Sequence, residues 1–143
     1  MTIYEQIFLA LDIFLFAVII HLIRVSASAE ITIKVNDGWV VPAFFAVIAV
    51  IIFFRFDGLF RIIEIPCVLL MGLLYFKVGY GLNKEGIIIA GRLIKYEDAG
   101  ELTLDKEKNC LTYLRGMSPA ALTFSADQYE KIEAYLKSLN KLK

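Results

Sequence analysis

Two rhythms of apolar positions divide this chain. From Ile3 to about Val78 hydrophobic residues come in long runs with few interruptions, and beyond Val78 they alternate with polar ones. The longest block begins at Val40, where VVPAFFAVIAVIIFF is followed by a polar break at Arg55-Phe56-Asp57-Gly58 and then by LFRIIEIPCVLLMGLLYF. A small soluble domain has no interior able to cover helices that are apolar on every face. The block therefore predicts two membrane-spanning helices, about 40–56 and 59–78, joined by a tight turn. Residues 3–25 predict another, since a helix rising ~1.5 Å per residue crosses the ~30 Å hydrocarbon layer within that stretch. Trp39 suits an interface anchor, as does the fringe of Tyr75, Lys77 and Tyr80. Pro42 falls in a first helical turn, where its missing N–H does little harm.

Between the first two helices, Glu30-Ile31-Thr32-Ile33-Lys34-Val35 alternates before Asn36-Asp37-Gly38, which predicts a strand at 30–35 followed by a turn. So short a strand does not hold by itself. With three crossings the connector and the tail emerge on the same side, so Ile31 to Val35 is expected to pack on, or pair with, the tail's sheet. In the tail, period-two segments run from Tyr80 to Asn83, Gly86 to Ala90, Arg92 to Tyr96, Glu101 to Asp105, Cys110 to Arg115 and Ala121 to Phe124. They predict an antiparallel meander. Ser125 and Gln128 have the spacing of a capping box ahead of a helix at 126–140, whose Tyr129, Ile132, Leu136 and Leu139 form one apolar stripe, with Lys137, Lys141 and Lys143 toward its carboxyl end. The expected fold class is a membrane protein of α+β type. Three transmembrane helices occupy residues 1–79, and a small antiparallel sheet closed by a helix occupies 80–143.

Composition agrees with that division. The 143 residues are 59% hydrophobic, with zero formal net charge and a mean hydropathy of +0.67, which points away from a soluble domain and from a nucleic-acid binder. From Gly79 onward ten Lys or Arg face nine Asp or Glu, so the tail reads as a solvated module rather than a basic membrane-seeking patch. Arg24, Lys34, Lys77, Lys84 and Arg92 stand on one side of the predicted spans and Arg55 and Arg61 on the other. The positive-inside rule then places this multi-pass protein in the cell membrane with the amino terminus outside and the carboxyl-terminal module in the cytoplasm. Ala27-Ser28-Ala29 imitates a signal-peptidase site, but no Lys or Arg precedes the apolar run and Asp12 interrupts it, so the first helix is expected to be retained.

Polar residues within the apolar runs are the candidate site. Asp12 lies near the middle of the first helix, where a bare carboxylate must be paired, protonated or turned toward protein. Glu5, seven residues earlier, is only about 20° away around the helix, whereas His21 is half a turn away. The Glu5 and Asp12 stripe reads as a proton or cation site, as a docking face, or as polar groups capped by a neighbouring helix of the same chain. His21 and Arg24 read as headgroup contacts. At the second hairpin, Arg55, Asp57, Arg61 and Glu64 carry balanced charges; Arg61 and Glu64 are spaced to pair, and Pro66 loosens the backbone beside Glu64. This cluster reads as a self-neutralised hairpin or as a recognition spot for a partner's membrane segment. Cys67 and Cys110 sit in settings too different for a disulfide, and His21 is the only histidine, so no metal or cofactor is expected. No catalytic serine or cysteine set can be assembled, and Gly79-Tyr80-Gly81 lacks the context of a phosphate loop.

The run from Glu85 to Asp98, EGIIIAGRLIKYED, with Leu102-Thr103-Leu104 and Leu122-Thr123-Phe124 ahead of the terminal helix, resembles the bacterial pleckstrin-homology-like domains attached to small membrane proteins. The resemblance covers roughly Tyr80 to Leu142 and implies a binding or scaffolding module without a catalytic residue. It brings no basic phosphoinositide pocket, and the tail holds six of the seven strands of a full domain unless Ile31 to Val35 contributes. The expected function is a non-enzymatic membrane adaptor or accessory subunit, embedded in the bilayer and bound to an integral membrane protein or to copies of itself. A small oligomeric proton- or ion-coupled transporter using Asp12 is the alternative, and a lipid-headgroup sensor the third.

Overall fold

The computed structural model describes residues 2–35 and 38–142. Asn36 and Asp37 of the predicted turn, and Lys143, lie outside the described residues. The chain divides into two compact units, residues 1–24 with 36–78, and residues 25–35 with 79–143.

The first unit holds the helices α1 (Ile3–Ala27), α2 (Val40–Arg55) and α3 (Gly58–Tyr75). α1 and α3 are long and apolar enough to cross a membrane. α2 is as apolar, but its 16 residues span about 24 Å, short of the ~30 Å layer. α1 starts in a capping box, Thr2 Oγ1 accepting from the Glu5 amide at 3.2 Å while Glu5 Oε2 accepts from the Thr2 amide at 3.0 Å. The helices share a thin core of Ile19, Ala49, Ile52, Val68 and Met71. Gly72 sits at a tight contact of α3 with α2: a Cβ there would lie 3.0 Å from Phe45 Cβ. Outward, the surface is apolar on all three helices, with Phe14, Phe44 and Ile62 each more than 60% exposed.

The second unit is α+β. Strands β1 (Ile31–Ile33), β2 (Tyr80–Leu82), β3 (Gly86–Ile89) and β4 (Arg92–Lys95) form one antiparallel sheet in that order, and β5 (Thr103–Asp105), β6 (Cys110–Arg115) and β7 (Ser118–Thr123) form another. The connector strand therefore does pair with the tail, Ile31 opposite Leu82 and Ile33 opposite Tyr80. The β3–β4 hairpin closes through Ala90 and Gly91 with φ of 50° and 79°, the mirror-image turn whose twist matches the strands and which favours glycine. β7 starts earlier than the alternation suggested. The β6–β7 turn is only Gly116-Met117, and Pro119 sits in an edge strand, where a missing N–H is tolerated. A 3-10 turn (Ala126–Gln128) leads into α4 (Tyr129–Ser138). The predicted capping box does not form: Ser125 bonds the Gln128 side chain, which turns instead to β1, donating to Thr32 O at 2.8 Å and accepting from the Lys34 amide at 3.3 Å. Ile31, Ile33, Leu82, Ile87, Leu111, Leu122, Ile132 and Leu136 join both sheets and α4 in one core.

Candidate functional site

On α1 the inward stripe follows the helical period through Asp12, Leu15, Phe16, Ile19 and Ile23. A carboxylate thus occupies a core position. Asp12 is 6% exposed and Glu64, on α3, is 4% exposed, and their carboxyls are in hydrogen-bonding contact. One oxygen of each, Asp12 Oδ2 and Glu64 Oε2, meets no hydrogen-bond partner among the described residues. Cys67, one turn beyond Glu64, lies within electrostatic reach of both. A hydrogen bond between two carboxyl groups requires a proton on one of them, because two carboxylates offer only acceptors.

The other polar residues separate from this pair. Glu5, expected to share a stripe with Asp12, is drawn into the amino-terminal capping box, since four amide groups at a helix start need acceptors. The Thr-x-x-Glu spacing at Thr2 carried that signal. Arg61 does not pair with Glu64 as its spacing suggested. It reaches back across the hairpin instead, donating to Phe53 O at 3.3 Å, lying 5.1 Å from the Phe53 ring centre and 3.5 Å from Asp57. Arg55 is exposed at the end of α2. Asp12 and Glu64 are thus brought together, and Glu5, Arg55 and Arg61 are not among their contacts. Sequence spacing cannot relate positions 52 residues apart on different helices.

Two hollows accompany the pair. Between α2 and α3 an apolar groove of about 450 Å³ is lined by Trp39, Pro42, Phe45, Gly72 and Phe76. In the α+β unit a hollow of about 480 Å³ is lined by Arg92, Ile94, Asp98 and Arg115, two guanidinium groups from different sheets that the sequence reading did not associate. In the same unit Met117, at the β6–β7 turn, is 99% exposed and Leu114 is 37% exposed.

Elsewhere in this unit, Asn83, Tyr96, Tyr135 and Glu30 tie turns and elements together. Asn83 accepts from the amides of Glu85 and Gly86 at 2.9 Å each and closes the β2–β3 turn, while its carbonyl accepts from Tyr96 Oη at 2.7 Å. Burial, and then the charge of Glu30, push the Tyr96 phenol up to about 12. Tyr135 of α4 donates to Glu30 Oε2 at 2.7 Å and is likewise raised, by burial first. These contacts hold the connector against α4 and the sheet. Compared with family models, curated proteins and solved structures, the chain matches none of them.

Proposed function

We propose that this chain is a non-enzymatic integral membrane adaptor or accessory subunit. Its three helices lie in the bilayer and its α+β unit, of pleckstrin-homology-like kind, binds a partner protein in the cytoplasm. The observation that carries the reading is the outward apolar surface of all three helices. Apart from Leu114 and Met117, every large apolar side chain that stands exposed among the described residues belongs to the helical unit, more than a soluble monomer leaves open to water. Both α1 and α3 lead within a few residues into the α+β unit, and α2 departs from it, which suits a hairpin that crosses and returns. The short α2 reaches the far interface through Arg55, whose long side chain can extend to the headgroups. Among the described residues seven strands in sheets of four and three, followed by a helix, support the family reading, with the seventh strand supplied by the connector.

Alkaline carbonate extraction of membranes is expected to leave the full chain in the pellet, and gentle detergent to release it as a stoichiometric complex or homo-oligomer. Release by carbonate would overturn the bilayer reading; a lone monomer in mild detergent would overturn the adaptor. The hollow lined by Arg92 and Arg115 favours a second reading as a lipid-headgroup sensor. There, substituting both arginines by alanine should abolish any preference of the full chain's soluble face for anionic over neutral vesicles.

A further inference from the structure

A docking role gives Asp12 and Glu64 nothing to do, yet they are the buried charged side chains of the helical unit, with the apolar Phe8, Leu15 and Phe16 one turn away on α1 and Phe60 and Val68 one turn away on α3. Among the described residues no ionisable group of opposite charge faces them from the three helices. On α1, no other ionisable residue stands between Glu5 and His21. On α2 there is none from Val40 to Phe54. On α3 the nearest are Cys67, a thiol, and Arg61, whose guanidinium is turned to Phe53 and Asp57. A metal ion is a poor occupant, since hard cations gather ~6 oxygen ligands and no group of three His, Cys, Asp or Glu side chains capable of holding one occurs among the described residues. The smallest cation fits what is present.

We propose that Asp12 and Glu64 form a proton-binding site between α1 and α3, in which a proton held by one carboxyl and accepted by the other is what allows the two helices to pack at that level. With the proton bound, the pair is a hydrogen-bonded acid and carboxylate. With it released, two negative charges face each other in apolar surroundings, where like charges repel far more strongly than in water. α1 and α3 then part, beginning at the Phe8, Phe56 and Phe60 ring contacts one turn away. The site couples proton concentration to helix packing, a property the adaptor reading neither needs nor supplies. The two can fail separately: alkaline carbonate reads retention by the apolar outer faces with the pair already ionised, whereas the proton site is read in micelles across a range of pH.

The test uses the full chain in detergent micelles and dicyclohexylcarbodiimide, an apolar reagent that modifies protonated carboxyl groups. Peptide mapping is expected to find the adduct on Asp12 or Glu64, formed about tenfold more slowly for each unit of rising pH once the proton leaves. In parallel, the thermal midpoint of the wild-type chain should fall at alkaline pH. That of Asp12→Asn with Glu64→Gln, whose amides keep the shape and a hydrogen bond but cannot ionise, should stay level up to the ordinary phenol range, above which the raised Tyr96 phenol adds a loss common to both chains. No adduct in a folded chain, an adduct whose rate ignores pH, or identical pH profiles for wild type and double variant would each overturn the proposal. Should the double variant not fold, either single amide variant is read against the same profile.

Discussion

Large apolar side chains point outward in the helical unit and inward in the α+β unit. Phe14, Phe44 and Phe54 stand more than 60% exposed, whereas Leu82, Leu111, Ile132 and Leu136 are fully enclosed. The polar groups invert the pattern: the helical unit buries two acids, while the α+β unit keeps its Lys, Arg, Asp and Glu residues out of its core. One chain thus contains two solutions to placing greasy residues. Around the helices the apolar faces are left open, and within the sheets the protein supplies its own interior. The contrast also says where energy is held. Burial against protein stabilises the sheets at roughly 25 cal/mol per Å² of apolar surface, whereas the helices leave most of their apolar side chains uncovered and share only a thin core and a close α2–α3 contact at Gly72.

The contrast can be broken most severely at Leu136. Leu136→Ala should cost about 2–5 kcal/mol in the stability of the α+β unit by leaving a cavity, measured by denaturant melts, while Phe44→Ala in the helical unit should leave the melt unchanged. Next in size, Phe14→Asp should impair membrane insertion by about 2.5–3.5 kcal/mol, read as the carbonate-resistant fraction. Met117→Asp, at the still more exposed hairpin of the other unit, should have no effect on that fraction. Equal tolerance at both sites would erase the distinction. Gly72→Leu should force α2 from α3 and lower the thermal midpoint in detergent, by about 1–3 kcal/mol as an overpacked contact, leaving the sheet's circular dichroism intact.

A further effect, confined to alkaline solution, is a matter of pH. Because the folded-state value of Tyr96 is raised from 10.0 to about 12, by burial first and then by Glu30, its contribution is fully present below the ordinary phenol value. It fades as pH rises toward 12, by on the order of 2 kcal/mol. Tyr96→Phe should remove that alkaline loss from the melting profile.

Much of this plan can be read from residue order. Runs of apolar residues fix α1, α2 and α3 to within a few positions, since a helix that is apolar all round needs no partner to be recognised. Alternation locates the tail strands, and the Tyr129, Ile132 and Leu136 stripe is where α4 meets the sheet. Errors concentrate at boundaries and polar side chains. β7 begins at Ser118, three residues before the alternation, because a two-residue turn returns the chain at once. Arg61 answers Phe53 and Asp57 rather than Glu64, since a hairpin offers contacts that spacing along one helix does not describe. The connector strand was expected to join the tail, but its register and its clamp by Gln128 and Tyr135 belong to tertiary structure.

What the order of residues determined by itself is which segments are helices, which are strands, and that Asp12 and Glu64 each stand in an apolar run where a carboxylate needs company. Folding alone decided that each is the other's company. Hydrophobic periodicity is local, repeating every two residues or every 3.6, whereas a contact between α1 and α3 depends on how helices cross, which no local period encodes.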